Sequence, residues 1–479
     1  MSTFKLSAAD VTDLSMAEDC TIPIIESAPQ GEVRIREAVQ RSNQADLAAK
    51  EEEIKAKAKT RVKISLSDCL ACSGCVTTAE TVLLEAQGCE KILEFLSEHG
   101  SETAVTMSPQ SISAVAATRG IPYSEAERLL AGLFTSLGAR CVLSGATFQA
   151  MSAYLEADRF IAEAGKTKLP VVVSLCPGEV VYATKTKRSL LPYMSDVPSQ
   201  QSVAGHYIKA GLVPGCTSHM SLQPCFDRKL EAADPANVYG STPLTDFTLS
   251  TTEALGLIQE RTEGDASIPP CDTVAVVEGG QAEMGSGNSM GGYGDMLAAV
   301  LSLRGWVQEG GMGEWQKGRN MHWLVRHVSL TPDCPLVQTL GTDTLTLARV
   351  SSFKNTVNLT NALKRKEKIH MVELGACPGG CINGGAQLAP EREREYDLRT
   401  LKVAGEVLAE RFGSGTEDQD TLDRALAEGA RSVIDRVCTG LKVDASALRV
   451  SHESRRVLSP DAVAAGKTGV QVSLADLQW

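Results

Sequence analysis

Apolar residues in the middle of the chain follow two patterns, short continuous runs and helical stripes. The runs are ETAVTMS, ARCVLSG, KLPVVVSLCPG, CDTVAVVEGG and HMVELGACPGG, which begin at residues 102, 139, 168, 271 and 370. The stripes are PYSEAERLLAGLFTSLG and MGGYGDMLAAVLSLRG, from residues 122 and 290. A run that is apolar throughout predicts a strand buried on both faces. Strands that alternate with helices predict mostly parallel sheets, and therefore an α/β fold.

The two ends of the chain have a different pattern. Residues 1–30 predict loop and short strand, and residues 31–60, which are charged and weakly periodic, predict an exposed helix or a partly disordered connector. TAETVLLEAQGCEKILEFLSEHG, residues 78–100, predicts a helix that ends at Gly100. Beyond Pro390 the chain is charged and predicted to be helical.

Composition narrows the class of protein. A chain of 479 residues exceeds one domain. A net charge of -12 disfavours nucleic-acid binding, because an acidic surface repels phosphate. The N-terminal segment lacks the pattern of a secretory signal, and no run of 18 apolar residues predicts a membrane span. We therefore expect a cytoplasmic protein with no nucleic-acid or membrane partner, and an additional nuclear location is left open.

Fourteen cysteines are unusual in a chain expected in the cytosol. That compartment keeps thiols reduced, so clustered cysteines there indicate metal ligands or redox groups. In DCLACSGCV, Cys69, Cys72 and Cys75 form C-x2-C-x2-C, which matches the start of a ferredoxin cluster run better than the paired knuckles of a zinc site. The fourth cysteine of that run is missing. Cys20, in a predicted loop, is favoured as the fourth ligand over Cys89, which lies in a predicted helix.

A second group of cysteines lies next to prolines. They are Cys176 in SLCPGE, Cys225 in LQPCFDRKLE, and Cys377 and Cys381 in GACPGGCINGG. Each follows or ends an apolar run, which predicts a position at the carboxyl end of a strand, where α/β folds assemble their sites. Any one of them alone is more typical of plain packing than of a ligand. Together they predict four thiols at one edge, enough for a second cluster.

Several motifs resemble the iron-only hydrogenase-like family, and in particular its cytosolic iron–sulfur protein assembly factors of the Nar1 type. Besides the cysteine segments above, they are LSAADVTDL before Cys20, MSPQS at Met107, LLPYMSDVPSQQ, and CDTV at Cys271. The resemblance implies two [4Fe-4S] clusters. One would be held by Cys20, Cys69, Cys72 and Cys75, and the other by Cys176, Cys225, Cys377 and Cys381.

The same resemblance implies two α/β lobes around a buried cluster and a small N-terminal iron–sulfur domain. The expected domains are 1–100 for the N-terminal cluster, 101–400 for the hydrogenase-like part, and 401–479 for a helical region and tail. We expect the cluster between the lobes to be hard to remove, and the cluster held through Cys20 to be more labile. The cysteines outside the two quartets are interpreted as core residues: Cys89, Cys141, Cys216, Cys271, Cys334 and Cys438.

The function implied is that of a non-enzymatic component of cytosolic iron–sulfur protein assembly. It would link early scaffold proteins to the late targeting complex that serves cytosolic and nuclear client proteins. The alternatives are a hydrogenase-like or electron-transfer oxidoreductase, and a zinc-stabilised interaction protein. Four departures from the hydrogenase pattern argue against hydrogen chemistry: a cysteine is replaced by Leu175, a lysine by Arg228, a methionine by Gln223 and a tryptophan by Glu179.

The chain ends in DLQW, which resembles the aliphatic–acidic–aromatic tail by which family members dock on the targeting complex. Leu477 and Trp479 fit that pattern, and Gln478 replaces the acid. A terminal indole buries a large area with few rotatable bonds, so Leu477 and Trp479 are predicted to bind a partner. The alternative is a frayed end.

Overall fold

The computed structural model describes residues 87–263, 267–273 and 289–387, together with residue 431. These residues all belong to the second of two units, Cys75–Trp479. The predictions for residues 1–86, for a strand in CDTVAVVEGG beyond residue 273, and for helices beyond Pro390 lie outside the described residues.

Helices and strands alternate along most of the described chain. Numbered in chain order, the helices are α1 Cys89–His99, α2 Pro109–Arg119, α3 Tyr123–Ser136, α4 Gly145–Glu163, α5 Pro177–Lys185, α6 Gln200–Lys209, α7 Asp227–Ala232, α8 Thr251–Glu263, α9 Tyr293–Leu303, α10 Pro335–Leu340 and α11 Phe353–Lys364. The strands are β1 Thr103–Met107, β2 Cys141–Ser144, β3 Val171–Val173, β4 Ser218–Gln223, β5 Val238–Tyr239, β6 Thr242–Pro243, β7 Phe247–Ser250, β8 Gln316–Asn320, β9 Trp323–Ser329, β10 Thr344–Ser351 and β11 Met371–Gly375. Short 3-10 turns lie at Gly100–Glu102, Arg188–Tyr193 and Cys381–Asn383.

The first sheet has the strand order β2-β1-β4-β7, and all of its neighbours are parallel. Because parallel strands share a direction, their carboxyl ends meet at one edge. Met107 and Gln223, the last residues of β1 and β4, therefore lie at the same edge of this sheet. Ser108 follows β1 and begins α2 by accepting a hydrogen bond from the Ser111 amide (3.2 Å).

The second sheet has the order β3-β11-β10-β9-β8. Strands β3, β11 and β10 are parallel, whereas β9 and β8 run antiparallel to their neighbours. The prediction of mostly parallel sheets thus holds for the first sheet and for half of the second. The antiparallel β8–β9 pair has a local cause, since residues 321 and 322 alone join these two strands and a connection this short permits only a hairpin.

Helix α4 forms the centre of the larger hydrophobic core. Its residues 145–157 are all buried, and a helix buried all round is typical of a large protein's interior. It packs against α6 and α9, and this core also takes in residues of β3 and β10. A second core lies under α1, α2 and α3 against the first sheet.

The predicted strands at 103–107, 141–144, 171–173 and 371–375 and the helices α3 and α9 are confirmed. The predicted helix at 78–100 is confirmed for Cys89–His99, and residues 78–86 of it lie outside the described residues. Within the described part the helix begins at Cys89, because Gln87 lies in a turn and Gly88 has the extended conformation of an N-cap. Within the described ranges, no helix is both long and apolar enough to span a bilayer.

Candidate functional site

A pocket lies where the carboxyl ends of the two sheets come together. The space between its lining atoms, counted together with solvent at its mouth, is about 370 Å³. All four cysteines of the second predicted quartet line it: Cys176, Cys225, Cys377 and Cys381. Cys225 follows β4 of the first sheet, whereas the other three follow β3 and β11 of the second. The structure therefore brings together thiols from both lobes at strand ends, as the sequence predicted.

Cys176 joins β3 to α5. It is the N-cap of that helix, with Pro177 as the first helical residue, a position where the missing proline amide costs nothing. The Cys176 amide donates to Ser174 Oγ (3.2 Å), and that hydroxyl donates to the Leu374 carbonyl at the end of β11 (2.8 Å). Ser174 thus fixes Cys176 relative to the strand that leads to Cys377.

The turn 377–381 depends on two glycines. Gly379 and Gly380 have φ of 76° and 96°, a region that side-chain-bearing residues rarely adopt. A Cβ at Gly380 would collide with Ser289 Oγ. The turn is held by the Gly380 amide, which donates to the Cys377 carbonyl (2.9 Å), and by the Cys381 amide, which donates to the Ser289 carbonyl (3.3 Å). The turn therefore presents two thiols four residues apart to one pocket.

Burial makes the thiols of this pocket reluctant to ionise. The pKa of Cys225 is raised well above its usual value, first by burial and then by the Asp227 carboxylate. Burial and the neighbouring Cys381 likewise raise the pKa of Cys176, and burial raises that of Cys381. Metal ligation requires thiolates, so this pocket can hold four of them only if a strongly positive group compensates their charge.

Arg228 is a positively charged residue in the lining of this pocket. Its side chain is 2% exposed, and it forms an ion pair with Glu231 and donates from Nη2 to the Leu175 carbonyl (2.6 Å). Burial opposes its charge, but Glu231 and the thiols of Cys225 and Cys381 raise the pKa of Arg228 above its usual value. One guanidinium that is already paired with a carboxylate cannot neutralise four thiolates.

The donor set fits a polynuclear iron–sulfur cluster better than a single ion. Within residues 87–263, 267–273 and 289–387, no group of three or more His, Cys, Asp or Glu side chains is arranged to hold one metal ion. A zinc ion would need its sulfurs at about 2.3 Å from one centre. The four cysteines that line the pocket match instead, in number and type, the four-thiolate ligand set of a [4Fe-4S] cluster.

The positions that depart from the hydrogenase pattern lie in or beside this pocket. Leu175 lines the pocket and is 3% exposed. Gln223 is buried, donates to Ser221 Oγ (2.7 Å) and accepts from Gln200 (3.3 Å). Glu179 lies in the first turn of α5 with no exposed surface, and neither carboxylate oxygen has a hydrogen-bond partner within the described structure. Burial raises the pKa of Glu179 to about 7. The nearby Thr356 hydroxyl lowers this pKa only in part, because it donates to the Ser352 carbonyl (3.3 Å) and does not meet hydrogen-bond geometry with the carboxylate.

Sequence reasoning gave no role to three polar residues of the lining, Gln110, Gln200 and Asp227. The available signal was their place inside the motifs MSPQS, DVPSQQ and PCFDRKLE, which carry the family resemblance. Gln110 donates to Gln149 Oε1 (3.1 Å) and to the Ser289 carbonyl (3.3 Å), which connects α2 to the turn 377–381.

The remaining predicted residues divide into two sets. Cys216 and Cys334 are buried, and Cys89, Cys141 and Cys271 are half-buried against the cores. The other candidates lie outside the described residues: Cys20, Cys69, Cys72, Cys75, Cys438, Leu477 and Trp479.

The chain is similar to known proteins along most of its length. The family profile "Iron only hydrogenase large subunit, C-terminal domain" matches residues 101–385. The "Probable cytosolic Fe-S cluster assembly factor oxy-4" of Caenorhabditis elegans is 32% identical over 80% of this chain and 84% of its own length. "Protein NAR1" of Arabidopsis thaliana is 35% identical over 69% of this chain and 74% of its own.

Solved structures share the fold. A variant of the [FeFe]-hydrogenase HydA1 from Chlamydomonas reinhardtii superposes with a TM-score of 0.60 at 18% identity, and covers 75% of this chain and 97% of the hydrogenase. The hydrogenase HydA(deltaEFG) gives a TM-score of 0.58 at 17% identity. The predicted hydrogenase-like fold is thereby confirmed for the described residues.

Proposed function

The chain belongs to the family of cytosolic iron–sulfur cluster assembly factors of the Nar1 type, and it contains an iron-only hydrogenase large-subunit domain. From that membership we propose that it is a non-enzymatic, cytoplasmic component of cytosolic iron–sulfur protein assembly. The observation that carries the proposal is the meeting of Cys176, Cys225, Cys377 and Cys381 at one pocket.

We propose that these four cysteines hold one [4Fe-4S] cluster and that Cys20, Cys69, Cys72 and Cys75 hold a second. When bound, such a cluster supplies one-electron redox capacity and a covalent link between its ligand segments. The protein would connect early scaffold proteins with the late targeting complex, and the tail residues Leu477 and Trp479 would dock on that complex.

The surroundings of the pocket favour this function over hydrogen catalysis. Leu175 is aliphatic and can neither give nor take a proton. The charge on Arg228 is held by Glu231, so its guanidinium does not act as a proton donor near neutral pH. A hydrogenase requires side chains that transfer protons to its buried site, and neither of these two residues can do so.

Metal analysis of the anaerobically purified protein tests the proposal. We expect about eight iron and eight sulfide per chain, little zinc, and no hydrogen turnover. Cys225→Ser and Cys72→Ser should each lose about half of the iron. The matched control is Cys334→Ser, which alters a buried core cysteine that does not line the pocket.

Three results would contradict the proposal. Zinc without sulfide would favour the zinc-stabilised interaction protein. Full iron content in Cys225→Ser would remove Cys225 from the ligand set and leave the pocket without four cysteine ligands. Hydrogen turnover by the purified protein would establish an oxidoreductase.

A further inference from the structure

Arg228 is a buried positive charge beside the four pocket cysteines. It lies in α7, three residues after Cys225, and only 2% of its side chain is exposed. Burying an ion is costly, and a buried ion pair is frequently no more stabilising than an apolar pair of the same volume. Packing alone therefore gives no reason for an arginine at this position.

The ion pair made by Arg228 has a direction. Arg228 lines the pocket, and its charge interacts with the thiols of Cys225 and Cys381. Its partner Glu231 is 13% exposed and is not part of the lining. The Leu175 carbonyl accepts a second guanidinium bond (2.6 Å), and the Arg228 carbonyl accepts from Gln201 Nε2 (3.1 Å). The side chain and the backbone of Arg228 are thus both fixed, with the positive end of the pair toward the cysteines.

We propose that Arg228 sets the reduction potential of the pocket cluster by stabilising its reduced form. The inference rests on the proposed function, since it requires that the four cysteines hold a [4Fe-4S] cluster. One-electron reduction adds a negative charge to the cluster, and a nearby cation that is shielded from water lowers the free energy of that form. Asp227, which also lines the pocket, acts in the opposite sense.

A redox titration monitored by EPR tests the inference on the full-length protein. Every sample also carries Cys72→Ser, which should prevent the other cluster from assembling. Only the pocket cluster then contributes to the EPR spectrum. At the midpoint potential of the unmodified pocket, Arg228→Met should lower the ratio of reduced to oxidised cluster at least tenfold, which is about 59 mV for a one-electron couple. Arg228→Lys keeps the charge and should recover most of that shift.

The matched control is the neighbouring buried cation, Lys229. Its side chain is 3% exposed, and its ammonium bonds the Gln87 carbonyl and Glu253 (2.7 Å each) without lining the pocket. Lys229→Met removes the same charge from the adjacent residue. An unchanged midpoint potential in that variant would show that the shift in Arg228→Met comes from the charge at the pocket and not from loss of a buried cation in general.

A second variant decides the matter if Arg228→Met fails to load iron. Glu231→Gln keeps the guanidinium and removes its counter-charge, so the potential should rise. The inference would be overturned if iron-loaded Arg228→Met had the same midpoint potential as the protein with Arg228. It would also be overturned if the potential of Glu231→Gln were unchanged or lowered. The absence of any cluster signal in the protein with intact pocket cysteines would instead refute the proposed function.

Discussion

Glu179→Gln is expected to stabilise the folded protein at pH 8, and to stabilise it much less at pH 5. Glu179 is fully buried in the first turn of α5, and neither of its carboxylate oxygens has a hydrogen-bond partner in the described structure. Glutamine has nearly the same shape and leaves the same positions without partners, so the substitution removes the charge and little else.

The size of the effect follows from the pKa of Glu179, which burial raises from 4.5 to about 7. Between these two values the folded state binds more protons than the unfolded state, so stability falls as the pH rises through this window. At about 1.4 kcal/mol per pKa unit, the ionised carboxyl costs the folded state about 3 kcal/mol above pH 7. At pH 5 the cost is about 1 kcal/mol, because the folded carboxyl is protonated and the unfolded one is only partly ionised.

Native-state hydrogen exchange of α5 measures this difference on the protein as purified. The Val180 and Thr186 amides, which donate to the carbonyls of Cys176 (3.2 Å) and Tyr182 (2.8 Å), report openings that expose Glu179 to water. After correction for intrinsic rates, their protection should rise a few-fold at pH 5 and roughly 100-fold or more at pH 8 in Glu179→Gln.

The control for this experiment is Glu260→Gln, an exposed helical glutamate, which should change protection at neither pH. A gain of the same size at pH 5 and pH 8 would show that charge burial is not the cause. A gain below tenfold at pH 8 would show that the carboxyl is hydrated or paired in solution.

Three further expectations concern the turn, the first sheet and the tail. Gly380→Ala should lose about half of the bound iron, because the added Cβ would collide with Ser289 in a backbone with φ of 96°. Gly341→Ala is the control and should keep its iron, since Gly341 has φ of 67° but no atom within 4 Å of the added Cβ. Equal iron contents in the two variants would contradict this prediction. Burial lowers the pKa of His219 from 6.5 to about 4, so stability should fall as the pH drops through that window, and urea midpoints of His219→Gln should show a flatter pH dependence. Deleting Trp479 should weaken binding to the targeting complex in a pull-down and leave the iron content intact, and unchanged binding would remove the proposed docking role.

The elements that the sequence predicted correctly have local causes. The strand Val171–Val173 consists of β-branched residues in an apolar run, a pattern that needs no knowledge of the fold. The strand Gln316–Asn320 was not predicted, because QKGRN is polar and mostly exposed and becomes a strand only through its pairing with β9. An edge strand of this kind carries no apolar signal.

The same division applies to the site. Cysteines beside prolines at the ends of apolar runs predicted the positions of the pocket thiols, since parallel strands bring their carboxyl ends together. The buried state of Glu179 could not be predicted, because an acid in the first turn of a helix is ordinarily an exposed residue that interacts favourably with the helix dipole. The roles of Gln110 and Gln200 also depend on contacts between distant elements, which local patterns do not encode.

The origin of the pocket thiols bears on whether a cluster held there is transferred to client proteins. Cys225 extends from the first sheet, and Cys176 and the turn 377–381 extend from the second, so a cluster ligated by all four joins the two lobes. Removing it would leave buried thiolates whose raised pKa values require each to take up a proton. Release of the cluster therefore requires protonation of the buried thiolates and breaks a link between the two sheets. We accordingly expect this cluster to remain bound during assembly as a structural and redox group, so that any cluster passed to a partner comes from the N-terminal cysteines.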